Sequence, residues 1–141
     1  MSLEGSQVDI LGRLLLTLAI IGGGISLYGL VSRWSLFRAR NKTLGLESVQ
    51  AGLPVLLYFT TPTCAPCKTM QRPAIQRLSE QLGDRLQVVE IDASARPEVA
   101  SHWGVMSVPT TFFIDASRQP RHVNHGVATL DKLLKQFNYM E

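Results

Sequence analysis

Residues 54–68 read Pro-Val-Leu-Leu-Tyr-Phe-Thr-Thr-Pro-Thr-Cys-Ala-Pro-Cys-Lys, and they hold the only two cysteines of the 141-residue chain, Cys64 and Cys67. The stretch up to Thr60 is apolar and rich in strand formers. Beyond the cysteines, Met70, Ala74, Ile75, Leu78 and Leu82 recur mostly at three- and four-residue steps, the period of a helix. The pair therefore lies where a buried strand hands over to a helix. A cysteine at a helix N-terminus meets free N–H groups and the positive end of the macrodipole. That placement lowers a thiol pKa from ~8.5 toward ~3.5–7.5 and makes it a nucleophile at neutral pH. Two intervening residues let the sulfurs close into a small disulfide ring, and strand, C-x-x-C, helix in a βαβ context reads as a redox motif.

Three other readings of the pair stand beside this one. A zinc site normally takes four ligands, and no second C-x-x-C is present; His122 and His125, three apart on a strand pattern, face opposite sides. Two inert core cysteines fit poorly with Pro66 and Lys68, which suit a helix start. A purely structural disulfide across so short a loop restrains little chain. No metal is expected, and no cofactor other than a Cys64–Cys67 disulfide.

The elements after the pair alternate. The helix is expected over about 64–82, with Gly83-Asp84 turning the chain. Arg85 to Asp92 reads as a strand, Pro97 to Trp103 as a short helix with proline at a permitted first-turn position, and Gly104 to Val108 as a loop. Thr110 to Ile114 is a strand, Asp115 to Pro120 a hairpin turn, and Arg121 to His125 a strand. Thr129 can cap a last helix carrying Leu130, Leu133, Leu134 and Phe137 on one side. The order β-α-β-α-β-β-α predicts an α/β domain, a mixed sheet with helices on both faces.

From about Pro54 to Phe137 this domain resembles the thioredoxin family. Cys64-Ala65-Pro66-Cys67-Lys68 is similar to the family's C-G-P-C-K, Val108-Pro109-Thr110 to its cis-proline motif, and Gly126 to its late glycine. The resemblance implies a cis Pro109 against the disulfide and a thiol–disulfide exchange activity. Cys64 would attack and Cys67 resolve, with Val108, Pro109, Thr63 and Pro66 meeting the substrate. The implied partners are proteins bearing disulfides or dithiols.

This chain also departs from the family pattern. Thr63 stands where tryptophan usually precedes the first cysteine, and Ala65 replaces glycine. The family's buried carboxylate, six residues before the first cysteine, is Tyr58 here, and its charged partner on the next strand corresponds to Val88. Asp92 and Glu90 are then the nearest candidate proton acceptors by strand order. The helix proline, Pro73, comes nine residues after the first cysteine instead of eight, an extra residue that a π-bulge would absorb. Loss of the carboxylate keeps a second function class in view: a redox-inactive or accessory thioredoxin-fold subunit of a membrane complex.

Ahead of the domain, Leu14 to Val31 is eighteen residues without a charge, long enough for a helix across roughly 30 Å of hydrocarbon. The organisation read from the chain is a short tail at 1–9, a membrane helix at 10–31, a basic linker at 32–45 and the domain at 46–141. Arg13 interrupts the apolar stretch and can snorkel. Gly22, Gly23 and Gly24 suit a membrane helix better than a soluble one, and Ala19/Gly23 and Gly22/Ser26 offer a packing face for partners in a membrane complex. Tyr28 and Trp34 mark headgroup level. Acidic residues before the run and the lack of an A-x-A-like site disfavour a cleaved signal peptide.

The formal net charge of +3 is confined to the N-terminal segment, where Arg13, Arg33, Arg38, Arg40 and Lys42 outweigh Glu4 and Asp9 by three. The rest balances, so nothing points to nucleic-acid binding. Leu36 and Phe37 can dip into the interface beside the basic residues, which attract anionic lipid. Four basic residues follow the span and one precedes it, so the positive-inside rule places the domain in the cytoplasm. The resemblance carries the competing expectation, because many bacterial membrane-tethered relatives face outward from the inner membrane.

Overall fold

A computed structural model of the chain describes residues 3–39 and 44–141, with side chains placed at 9–34 and 44–141. The chain divides into two units, Met1–Trp34 and Ser35–Glu141. The described residues of the first lie in a helix, α1, which runs Leu3–Ala39 and so continues past Trp34. It begins within the stretch read from sequence as a tail, and continues past Val31. Asp9–Trp34 is long and apolar enough to cross a membrane; its most apolar eighteen-residue window has a mean hydropathy of 2.1, and none of that window is buried. Near its start Arg13 pairs with Asp9 one turn earlier at 3.8 Å, which offsets the charge that interrupts the apolar run. Of the basic and apolar residues expected at the membrane surface, the side chains of Leu36, Phe37 and Arg38, and all of Arg40 and Lys42, lie outside the described residues.

The second unit carries β1 (Val55–Thr60), a π-turn (Cys67–Gln71) continuing into α2 (Arg72–Leu82), β2 (Gln87–Asp92), α3 (Pro97–Trp103), β3 (Thr110–Ile114), β4 (Pro120–His125) and α4 (Leu130–Asn138). The sheet order is β2-β1-β3-β4. β1 and β2 are parallel, with Tyr58 opposite Glu90, and the other pairs are antiparallel. The mixed sheet expected from sequence is the one observed. Boundaries moved slightly: Gly83–Arg85 is a 3-10 turn, so β2 starts at Gln87 instead of Arg85, and β4 starts one residue early at Pro120.

Helices cover both faces, which is why every residue of β1 is buried. On one face Leu56, Tyr58, Cys64, Cys67, Ile75, Leu78, Phe113, Leu133 and Phe137 form a cluster between the sheet and α2 with α4. On the other, Val55, Leu57, Phe59, Ile91, Phe112 and Ile114 pack with Val99 and Trp103 of α3. Alternate residues of β1 thus feed the two cores, as the strand period of two requires. Gly104 ends α3 in the left-handed region at φ 69°, a conformation that penalises a Cβ.

Residues 44–53 are an irregular lead-in of turns. Trp103 Nε1 donates to Leu44 O at 2.8 Å, Arg118 donates to Val49 O at 2.9 Å, and Gln87 bonds both N–H and C=O of Gln50. These side chains satisfy backbone that no strand or helix pairs. At the other end of the chain, the Thr129 side chain accepts from Lys132 N and caps α4 as its sequence position predicts. Thr129→Ala is expected to cost about 1 kcal/mol of unfolding free energy. The check is a lower urea midpoint at an unchanged slope.

Candidate active site

β1 ends at Thr60, and the chain turns through Thr61–Thr63 before the helix begins. Cys64 N donates back to Thr61 O at 3.2 Å, which closes this turn. Cys64 and Cys67 are joined in a disulfide, with S–S 2.04 Å and Cα atoms 5.3 Å apart. Their surroundings differ. Cys64 is 8% exposed, while Cys67 is fully buried. Cys67 N also donates to Cys64 Sγ at 3.2 Å, so a helix N-terminal amide points at the first sulfur. A thiolate at Cys64 would gain from that N–H and from the helix dipole; Cys67, one turn in, lies against the core.

The Val108-Pro109 peptide bond is cis. Pro109 O accepts from Gly126 N at 2.8 Å, and Gly126 adopts φ 96°, where a side chain would be strained. Val108 packs against the cluster that contains both cysteines. Thr63 and Pro66 are exposed next to Cys64. The fold therefore gathers the C-x-x-C turn, the cis-proline loop and the glycine loop at the C-terminal end of β1. A shallow groove beside them is lined by Thr61, Ala93, Pro97, Val105, Met106 and Val108. Met106, almost wholly exposed at 95%, is a residue that the sequence pattern did not single out.

The candidate proton acceptors behave differently. Asp92 accepts from Ser94 Oγ, Ser94 N and Ala95 N. These bonds, the Ser94 hydroxyl first, hold its carboxyl below the usual carboxylate range and engage it in its own turn. Glu90 is exposed and ion-paired to Arg72 at 2.6 Å. Tyr58 sits directly behind the pair: it is 1% exposed and its hydroxyl donates to Cys67 O at 3.3 Å. Burial, with Glu90 adding to it, pushes the phenol above its ordinary value against a Thr60 hydrogen bond and the Arg72 charge. At physiological pH Tyr58 is therefore a neutral donor. Tyr58, Arg72, Ile75, Val88 and Glu90 line one groove, so the phenol lies just beneath the surface.

His122 and His125 occupy β4 positions opposite Phe113 and Thr110, on alternate faces of the sheet. Among the described residues no cluster of three or more His, Cys, Asp or Glu side chains is placed to hold a metal ion.

The family model for thioredoxin matches residues 45–138. Among curated relatives, thioredoxin 1 of Synechococcus elongatus is 35% identical over 77 residues, 54% of this chain and 71% of that protein. Thioredoxin of Bacillus subtilis is 45% identical over 56 residues, 40% of this chain and 53% of that one; the match thus spans only about half the length of that relative. In shape, the Fasciola hepatica thioredoxin structure aligns with a TM-score of 0.57 at 21% identity, covering 64% of this chain and 84% of that one. That likeness speaks to the fold alone. The family match begins at residue 45, after the apolar helix Asp9–Trp34. Taken with the Cys64–Cys67 disulfide beside a cis proline, these matches show that the chain belongs to the thioredoxin family and carries the site of a thiol–disulfide oxidoreductase.

Proposed function

We propose that this protein is a membrane-tethered thiol–disulfide oxidoreductase that reduces disulfides of partner proteins through Cys64 as nucleophile and Cys67 as resolving thiol. The observation that carries the assignment is the asymmetry of the pair: Cys64 keeps 8% of its surface exposed with its sulfur under a helix amide, and Cys67 keeps none. In the dithiol form the Cys64 thiolate attacks one sulfur of the partner disulfide, and the partner's other sulfur leaves as a thiolate. Cys67 then loses its proton and attacks Cys64 Sγ; the internal disulfide forms and the partner's second sulfur departs. Two electrons have passed to the partner, and a thiol reductant must restore the dithiol. Val108 and Pro109, with Thr63 and Pro66 across the disulfide, form the surface that receives the partner chain. No cofactor beyond the disulfide is required by this chemistry.

The apolar helix Asp9–Trp34 supports the tether. The four basic residues after it against one before favour a cytoplasmic domain, where the thiol pool is reducing and the dithiol form dominates. Membranes carrying the full chain should reduce insulin disulfides when supplied with a thiol reductant. In intact cells, after mild reduction, a membrane-impermeant maleimide should leave Cys64 unlabelled until the cells are broken open. Labelling of Cys64 in unbroken cells would reverse the orientation.

A further inference from the structure

Gln71 has no role in the exchange chemistry just described, and a glutamine one step beyond Met70 on a helix reads as surface. It is fully buried. Its amide makes two bonds to one residue 57 positions later: Nε2 donates to Ala128 O at 3.2 Å, and Oε1 accepts from Ala128 N at 2.7 Å. Gln71 is also the last residue of the π-turn Cys67–Gln71. The extra residue that moves Pro73 one place out is thus the same one that turns Gln71 inward and leaves Met70 on the surface at 57% exposure.

The residue it holds matters. Ala128 is buried in the cluster that contains Cys64 and Cys67, with Val108 packed against it. Two residues earlier, Gly126 N is bonded to Pro109 O. Between them Val127 is exposed, and it lines a groove with Met70, Pro73, Ala74 and Leu130. Segment 126–128 has no strand or helix partner of its own. Its geometry is fixed by Pro109 at one end and by Gln71 at the other. A partner chain whose sulfur reaches Cys64 must lie against the surface that these contacts shape.

We propose that Gln71 is a positioning residue for partner recognition: its two-bond clamp on Ala128 holds the 126–128 wall of the surface on which the partner's apolar residues, flanking its cysteine, come to rest. The inference rests on the functional reading given above and deepens it. The test uses the full chain with insulin as the disulfide substrate and compares Gln71→Leu with Gln71→Glu. Removing the clamp should raise KM for insulin about tenfold with kcat within about twofold, the pattern of lost binding that is uniform through the reaction. Backbone amides of 126–128 should exchange hydrogen faster in the same variant.

Gln71→Glu adds a signature that a merely structural role would not give. As a carboxylate it accepts from Ala128 N but offers nothing to Ala128 O; protonated, it donates again. Burial raises a carboxyl pKa. The ratio of its KM to that of the unsubstituted protein should therefore fall from about ten near pH 8 toward one near pH 5.5. This arm decides the matter if Gln71→Leu does not fold. An unchanged KM in a folded Gln71→Leu, or a flat ratio across pH for Gln71→Glu, overturns the inference and leaves the exchange function standing. Failure of the unsubstituted protein to turn over insulin overturns the functional reading, and the inference with it.

Discussion

Cys64→Ser is expected to reduce disulfide exchange to the uncatalysed rate, and Cys67→Ser to accumulate mixed disulfides that cannot resolve. The reason is that the two sulfurs occupy unlike sites. Cys64 retains a small exposed area beneath the Cys67 amide and beside exposed Pro66, whereas Cys67 has none, so Cys64 is the sulfur expected to meet a partner's disulfide. Serine there leaves a hydroxyl, which is no nucleophile toward sulfur at neutral pH. Cys67 is buried against Tyr58 and Ile75 in the same cluster, so its thiol is reached only by the neighbouring sulfur. Without it, the attack by Cys64 proceeds but the release step is missing. Non-reducing electrophoresis followed by mass spectrometry should show covalent adducts through Cys64 in the Cys67→Ser protein and none in the Cys64→Ser protein. Alkylation of the reduced protein should be much faster at Cys64; equal rates would reverse the assignment of roles.

The second large effect concerns Tyr58. Its neutral phenol donates to the carbonyl of Cys67 and cannot accept a proton there. Deprotonation of Cys67, which release of the partner requires, then has no side-chain acceptor at position 58. The release step should accordingly be slow at neutral pH and quicken as pH rises. Tyr58→Asp places a carboxylate behind Cys67. It should speed release near pH 7 by about a hundredfold, the lower end of the ~10²–10⁴-fold that a positioned base supplies. The substitution removes a buried ring and inserts an acid, and is expected to lower stability by about 3 kcal/mol or more. Arg72 lines the same groove and offsets part of that penalty. Rapid-quench measurement of mixed-disulfide decay is the check. If the variant folds and releases its partner at the unchanged rate, Tyr58 does not limit the step.

Much of this arrangement is legible in the chain. The apolar run Val55–Phe59, rich in strand formers, reads as a buried strand, and in the structure it is one, covered on both faces. The C-x-x-C pair after it and Thr129 as a cap sit where their chemistry places them, and Gly126 before the last helix sits where the family resemblance places it. The one-residue delay of Pro73 foretold the π-turn. What the delay accomplishes was not legible. A polar side chain in a helix reads as solvent-facing, and only a contact across 57 residues shows that Gln71 faces inward. Glu90 and Asp92 were drawn toward the cysteines by strand order. In the structure Glu90 is exposed and paired with Arg72, and Asp92 accepts from Ser94 and Ala95 in its own turn. The lead-in 44–53 carries no period at all, because its order comes from Trp103, Gln87 and Arg118 reaching over from other elements.

The unequal exposure of the two sulfurs also governs how the protein meets peroxide. A small oxidant such as peroxide is expected to meet Cys64 first and convert its thiolate to a sulfenic acid. In a lone cysteine that product would be open to further oxidation, to sulfinic and sulfonic acids that ordinary thiols do not reverse. Here the thiol of Cys67 lies within bonding range. Its attack on the sulfenic sulfur expels water and returns the ordinary disulfide, which any thiol reductant can reopen. The buried cysteine thus acts as a built-in rescue against irreversible damage.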